Sequence, residues 1–191
     1  DAVYQNQDIL ASYRADYVVV LAGDHIYKAN YALMLADHVA LGAECTVGCI
    51  EVPRMEATAF GVMHIDEKRR IIDFVEKPAD PPGIPDSPDQ SYASMGNYLF
   101  TTDVLVESLK IDAGDEGSVH DMGGNIIPML TAQGLAHVYD FSENEVPGTT
   151  DREVLISTHI CHPSMANDNL TGIAAAVALA RWAMTGQRHL T

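Results

Sequence analysis

The chain has 191 residues, of which 47% are hydrophobic and 20% are charged, a composition typical of a globular rather than a disordered protein. Eleven Lys and Arg side chains stand against 27 Asp and Glu, which gives a net charge of −16. This balance argues against nucleic acid and anionic membrane as main partners, because both bind basic surfaces. The three cysteines form no paired framework, and we find neither an apolar run of membrane length nor a signal peptide, so we expect a cytoplasmic protein.

Predicted strands and a helix alternate in the first fifty residues. Tyr17–Leu21 is a short, continuous apolar run rich in β-branched side chains, which predicts a strand buried on both faces of a parallel sheet. Asn30 can cap a helix that ends at Gly42, and Cys45–Val52 is the next predicted strand. This strand–helix–strand order predicts an α/β fold with a partial doubly wound sheet.

A β-hairpin is predicted where this order changes. Phe60–Ile65 and Arg70–Val75 flank the polar turn 66–69. Five prolines follow between Pro78 and Pro88. Because proline fits neither a helix interior nor an inner strand, they predict a surface loop.

One strand and two helices are predicted next, followed by a segment of different character. Ala93–Phe100 is the strand, and Asp103–Leu109 and Asn125–Gln133 are the helices. After residue 150 the chain contains a short strand, Val154–Ser157, then a turn rich in His and Asn, then an alanine-rich helix. The apolar face of that helix carries Leu170, Ile173, Val177, Ala180 and Met184.

Two places carry side chains suited to a phosphorylated ligand. Asp24 directly follows the first strand, and a carboxylate beyond the carboxyl end of a strand in an open α/β sheet is well placed for Mg²⁺; the alternative is a cap for the next helix. Glu76 and Lys77 end the second hairpin strand, where the glutamate can accept sugar hydroxyls and the lysine can meet a phosphate. The alternative is an exposed ion pair. Strand alternation sends such neighbours to opposite faces unless the loop re-aims one of them.

Several motifs occur together in one order and spacing, and the chain resembles a known family in them. They are Asp1-Ala-Val-Tyr-Gln-Asn6, Leu21-Ala-Gly-Asp-His-Ile-Tyr-Lys28, Phe60-Gly-Val-Met63, Phe74-Val-Glu-Lys-Pro78, Ala93-Ser-Met-Gly96, His120-Asp121 and Phe141-Ser-Glu-Asn-Glu-Val-Pro-Gly148. The resemblance is to the bacterial ADP-glucose pyrophosphorylases (glucose-1-phosphate adenylyltransferases), and it covers about four fifths of the chain. It implies a nucleotide-diphospho-sugar transferase-like sheet.

The resemblance implies a reaction of glycogen or starch synthesis, in which glucose 1-phosphate and ATP give ADP-glucose and pyrophosphate. A sugar-phosphate oxygen attacks the α-phosphorus of ATP in line, while Mg²⁺ and cations stabilise the developing charge. By the matching motifs, Asp24 and Lys77 are the catalytic residues: Asp24 would hold the metal and Lys77 the phosphate of glucose 1-phosphate. Gly61 would let the backbone approach the sugar, whose hydroxyls would be bound by Glu76, Ser94 and Asp121.

Parts of the family pattern do not occur in this sequence. The Gly-rich, arginine-containing loop that holds the ATP phosphates would lie upstream of Asp1, and no strand with a second metal-binding aspartate follows Gly148. Met122 stands where the family usually has phenylalanine. The C-terminal β-helix that supports the family's homo-oligomers is also missing. We therefore expect little or no pyrophosphorylase turnover from this chain alone.

The segment 151–191 resembles another family, the zinc aminopeptidases of the M28-like type. In those enzymes a strand ends in a metal-binding His, and an Asp-Asn-x-Ser/Thr-Gly turn begins the next helix. Zn²⁺ ligation by His159, His162 and Asp168 follows from this resemblance. The alternative is that an asparagine caps the helix while the histidines lie in a solvated turn.

We therefore expect a chimeric chain, with an incomplete nucleotidyltransferase-like domain over 1–150 and an unrelated strand–turn–helix tail over 151–191. Besides the nucleotidyltransferase, two alternative functions are open. One is a zinc-dependent aminopeptidase-like fragment, which bound zinc would favour. The other is a non-catalytic remnant, which sugar-phosphate binding without turnover would favour.

Overall fold

The computed structural model describes residues 2–21 and 29–144. Asp24 lies outside these residues, as do the predicted strand and helix of the tail with His159, His162 and Asp168. The described part has the predicted α/β fold, built on one six-stranded sheet. Its strands are β1 (Tyr17–Val20), β2 (Cys45–Pro53), β3 (Gly61–Ile65), β4 (Ile71–Glu76), β5 (Gln90–Thr101) and β6 (Ala136–Asp140).

The sheet is mixed and is organised around the long strand β5. Its order is β4-β3-β5-β2-β6, and β1 also pairs with β5. Strand β5 runs antiparallel to β1, β2 and β3, whereas β2 and β6 are parallel. The hairpin of β3 and β4 therefore lies beside the first half of β5, and β1 lies beside its last four residues.

The described residues contain five α-helices, of which the first two precede β1. Asn30 caps the third by accepting a hydrogen bond from the Ala32 N–H at 3.1 Å, and Gly42 ends it with a left-handed φ of 60°, as predicted. A π-helical turn, Met122–Ile126, leads directly into the last helix. The helices are α1 (Ala2–Gln5), α2 (Gln7–Tyr13), α3 (Tyr31–Leu41), α4 (Thr102–Ala113) and α5 (Ile127–Ala132).

Helices cover both faces of the sheet. Since successive side chains of a strand point to opposite faces, neighbouring residues of β5 pack against different helices. Phe100 lies in the main core, where α4, the π-helical turn and α5 pack on the sheet through residues such as Leu105 and Ile127. Its neighbour Leu99 points the other way and packs with Met34 of α3. Cover on both faces is the part of the doubly wound prediction that the described residues bear out, whereas the sheet itself is mixed rather than mostly parallel.

Strand β1 is buried on one face only, so the prediction of burial on both faces is wrong. Val18 and Val20 pack against the main core, but Tyr17 and Val19 are 38% and 40% exposed. On the exposed face, the start of the strand contacts α3, where the rings of His38 and Tyr17 meet edge-on at 5.5 Å.

The predicted hairpin and proline loop are both present. Asp66 closes the hairpin turn, since its Oδ1 accepts hydrogen bonds from the N–H groups of Lys68 and Arg70 at 2.8 and 3.0 Å. The loop after β4 contains only an isolated bridge, and it is fixed to its surroundings by side chains. Arg54 pairs with Asp80 at 2.7 Å.

Candidate functional site

The end of the hairpin places a carboxylate over a glycine. Glu76, the last residue of β4, pairs with Gly61, the first residue of β3. A Cβ atom on Gly61 would lie 2.7 Å from Cζ of Phe74 and 2.9 Å from Oε2 of Glu76, distances at which atoms overlap. The absence of a side chain at Gly61 is therefore what allows both side chains to lie across β3.

The backbone turns sharply at Lys77 and redirects its side chain. Its φ is 48°, in the left-handed region, and its N–H donates to the carbonyl of Phe60 at 2.9 Å. As a result Nζ of Lys77 lies 3.5 Å from Oε1 of Glu76, although plain strand alternation would separate the two side chains. Both remain open to solvent, at 65% and 50% exposure, so the ion pair is accessible to a ligand.

A bulge in β5 places two polar side chains on one face. The pairing of β5 with β2 shifts between Asn97 and Ser94, which leaves two residues of β5 without partners. Gly96 adopts a left-handed φ of 67° there, and its N–H donates to Oγ of Ser94 at 3.2 Å. The Ser94 side chain also lies near the hydroxyl of Tyr98, four residues further along the strand, where it acts to lower the pKa of that hydroxyl.

The hydroxyl of Tyr98 interacts with several of the candidate residues. Its ring is buried against the core, and burial raises the pKa of its hydroxyl, as do the negative charges of Asp121 and Glu76. The hydroxyl therefore stays protonated at neutral pH and can donate as well as accept. We call Glu76, Lys77, Ser94, Tyr98 and Asp121 the Tyr98 cluster.

Asp121 begins the π-helical turn and is held by it. Its Oδ2 accepts from the Gly124 N–H at 2.6 Å, and its own N–H donates to Oδ1 of Asn125 at 3.0 Å, which is a reciprocal cap. A Cβ atom on Gly123 would lie 3.6 Å from both the Tyr98 hydroxyl and Oδ2 of Asp121, so these two oxygens face the same space. Met122 packs on the main core.

The structure thus places Gly61, Glu76 and Lys77 together at the end of the hairpin, and it places Asp121 and Ser94 beside Tyr98. Sequence reasoning missed Tyr98. The available signal was its spacing of four from Ser94, which places two strand residues on one face. In the described part of the chain, no group of three or more His, Cys, Asp or Glu side chains is arranged to hold a metal ion.

Three side chains of the Tyr98 cluster, those of Glu76, Lys77 and Asp121, are exposed, whereas Ser94 is half-buried and Tyr98 is buried. Two cavities formed by residues 29–144, of about 970 and 600 Å³, have other linings: one lies between Arg54 and the proline loop, and the other beside the hairpin turn and His137. Within the same described ranges, no helix has both the length and the apolar character needed to span a bilayer.

The fold and the polar cluster beside its hairpin define a class of protein. A family model described as nucleotidyl transferase matches residues 1–187, and the chain belongs to this family. It is similar to proteins named glucose-1-phosphate adenylyltransferase. That of Rhizobium rhizogenes is 58% identical over 153 residues, that of Mesorhizobium japonicum 56% and that of Mycolicibacterium smegmatis 51% over the same length.

These matches cover 80% of this chain but only 36–38% of the relatives. The chain therefore spans little more than a third of their length. The comparisons bear out the resemblance carried by the motifs before residue 150. They lend no support to the resemblance of the tail to zinc aminopeptidases, and the boundary at residue 150 stays a prediction.

Proposed function

We propose that this chain carries the glucose 1-phosphate site of a glucose-1-phosphate adenylyltransferase. The observation that carries the proposal is the Tyr98 cluster, which combines the exposed pair of Glu76 and Lys77 with the Asp121 carboxylate and the hydroxyls of Ser94 and Tyr98. Sugars are bound by such hydrogen-bonding groups, and a phosphate is bound by a cation. The name of the relatives supplies the particular sugar phosphate and the adenylyl group that is transferred, and the family resemblance implies ATP as the donor.

The cluster divides into two functional parts. Glu76, Ser94 and Asp121 would bind the glucose hydroxyls, with the Tyr98 hydroxyl between them. Lys77 lies at the rim and would meet the phosphate as a point charge. Its left-handed backbone supports this role, because it directs the ammonium to the sugar side of the hairpin.

In the proposed reaction, an oxygen of the bound sugar phosphate attacks the α-phosphorus of ATP. The new P–O bond forms as the bond to the β-phosphate oxygen breaks, and pyrophosphate leaves. The residues of this chain would hold the attacking phosphate in place and balance its charge through Lys77. Fixing a nucleophile in this way removes much of the entropic cost of the encounter.

Asp24 would hold Mg²⁺ in this proposal. A carboxylate oxygen is the donor this ion prefers, and Mg²⁺ is commonly held by one or two carboxylates together with substrate phosphates. When bound, the ion would neutralise charge on the transferred phosphoryl group.

The test compares Lys77→Ala with Lys68→Ala, a second exposed lysine on the same hairpin. Calorimetry with glucose 1-phosphate and with glucose measures the two parts of the site separately. Lys77→Ala should weaken glucose 1-phosphate binding about 10- to 100-fold, the effect expected for one charged hydrogen bond, and leave glucose binding nearly unchanged. The stability cost should stay below about 1 kcal/mol, because the pair with Glu76 is exposed.

Equal losses for both ligands, or the same loss in Lys68→Ala, would remove Lys77 from the phosphate role. Release of pyrophosphate from ATP and glucose 1-phosphate in the presence of Mg²⁺ measures turnover separately. Binding without release would favour the non-catalytic alternative.

A further inference from the structure

A buried carboxylate lies beneath the loop that leads into the Tyr98 cluster. Asp112 is in the last turn of α4 and is only 6% exposed. A negative charge at this end of a helix is disfavoured by the helix dipole, and burial adds a desolvation cost. A carboxylate in this position therefore needs partners that compensate both effects.

Two loop side chains supply that compensation. Oδ1 of Asp112 accepts a hydrogen bond from the Ser118 hydroxyl at 2.5 Å, and Oδ2 pairs with Nδ1 of His120 at 2.9 Å. Although burial acts to raise the pKa of Asp112, these two hydrogen bonds outweigh it, and the pKa of the carboxyl lies below its ordinary value. Asp112 is thus ionised and has a donor on each oxygen.

His120 immediately precedes Asp121 and has an unusual backbone. Its φ is 56°, a left-handed conformation that costs energy for any residue with a Cβ. Its N–H donates to Oγ of Ser118 at 2.9 Å, so the backbone and the side chain of His120 are both fixed. The residue before Asp121 is therefore strained, and hydrogen bonds hold both its backbone and its side chain.

We propose that Asp112, Ser118 and His120 form a positioning network that fixes Asp121 in the Tyr98 cluster. This inference rests on the proposed function for the role of Asp121 as a sugar ligand. Asp121 is held on its C-terminal side by the reciprocal cap with Asn125 and on its N-terminal side by the anchored His120. With both flanking segments fixed and Oδ2 bound to the Gly124 N–H, the direction of the Asp121 carboxylate is set.

A network that merely attaches the loop to α4 would affect stability alone. A positioning network must in addition affect the affinity for glucose, because Asp121 would meet the sugar ring rather than the phosphate. Asp112→Asn should therefore weaken glucose and glucose 1-phosphate by the same factor. Lys77→Ala, by contrast, should weaken only the phosphorylated ligand.

Two variants of His120 separate the contribution of its backbone conformation from that of its side-chain hydrogen bond. Glycine and asparagine both accept a left-handed φ, but only asparagine keeps an N–H donor near the position of Nδ1. We expect His120→Asn to retain most of the affinity and His120→Gly to lose about tenfold, the value of one ordinary hydrogen bond. Glu116→Gln, which removes one exposed charge from the same loop, is the control and should bind normally.

The experiment measures glucose and glucose 1-phosphate binding by calorimetry on the full chain, together with the thermal midpoint and the exchange of the Gly124 amide proton. That amide donates to Oδ2 of Asp121, so loss of positioning should speed its exchange in Asp112→Asn and His120→Gly. Normal affinity in both variants, with only the midpoint lowered, would overturn the inference. Equal binding by His120→Gly and His120→Asn would overturn it as well.

Asp121→Asn distinguishes this failure from failure of the proposed function. If Asp121→Asn weakens glucose binding but the network variants do not, only the positioning role is wrong. If Asp121→Asn leaves glucose binding intact, the proposed sugar site is wrong and the inference is overturned with it.

Discussion

Gly61→Ala tests how closely the sugar end of the site is packed. The added methyl group would lie 2.7 and 3.2 Å from two ring carbons of Phe74 and 2.9 Å from Oε2 of Glu76. Phe74 is 8% exposed, so its ring has little room to yield. Glu76 is half exposed and can swing away, which would move its carboxylate out of the Tyr98 cluster.

The expected energy follows from two opposing effects. Forcing a methyl group into a packed site costs about 1–3 kcal/mol, whereas replacing glycine by alanine in a compatible strand stabilises by about 0.4–1 kcal/mol through the unfolded chain. We therefore expect net destabilisation of about 0.5–2 kcal/mol. For a domain of this size each kcal/mol lowers the thermal midpoint by about 2–4 °C.

Urea unfolding and calorimetry with glucose measure the two consequences. Gly114→Ala is the matched control, because a Cβ there meets only carbonyl oxygens at 3.5 and 3.6 Å, which is ordinary contact. The double variant Gly61→Ala/Phe74→Leu should regain part of the stability but not the glucose affinity, since Glu76 remains displaced. If Gly61→Ala matches Gly114→Ala in both stability and affinity, the packing argument is refuted.

Two further predictions concern a hydroxyl and a buried histidine. Tyr98→Phe removes the hydroxyl that lies beside Ser94 and Asp121 and should weaken glucose binding about 2- to 10-fold. The midpoint should change little, since the ring still fills the core, and unchanged binding would exclude the hydroxyl from the site. Burial lowers the pKa of His38 below its ordinary value of 6.5, so the unfolded state binds more protons and stability should fall as the pH drops below about 6.5. His38→Gln should flatten this dependence between pH 7.5 and 5.5 in urea unfolding, and an unchanged slope would contradict the assignment.

The elements that the sequence predicts well are those with local signals. The cap at Asn30 and the left-handed Gly42 delimit α3 as expected, and the turn at Asp66 closes the hairpin. Strand β6, Ala136–Asp140, has no such signal. It pairs in parallel with β2, and a pairing between residues some 90 positions apart leaves no short-range trace.

The antiparallel place of β5 between β1 and β2 could not be predicted for the same reason. Its apolar pattern indicates a strand, but the direction of that strand is set by partners distant in the chain. The strand–helix–strand rhythm of the first fifty residues favours parallel neighbours. β1 and β2 do point the same way, but β5 lies between them.

The candidate site residues come from the motif resemblance. Their geometry depends on irregular backbone, which hydrophobic periodicity cannot reveal. Regular alternation would separate Glu76 from Lys77, and the left-handed φ at Lys77 is what brings Nζ to 3.5 Å from the carboxylate. In the same way, the bulge beside Ser94 and the left-handed His120 before Asp121 change the directions in which those two residues lie. Each irregularity costs conformational energy that a regular strand or helix would not require. All three departures lie beside residues of the Tyr98 cluster, and this coincidence supports the proposed sugar-phosphate site.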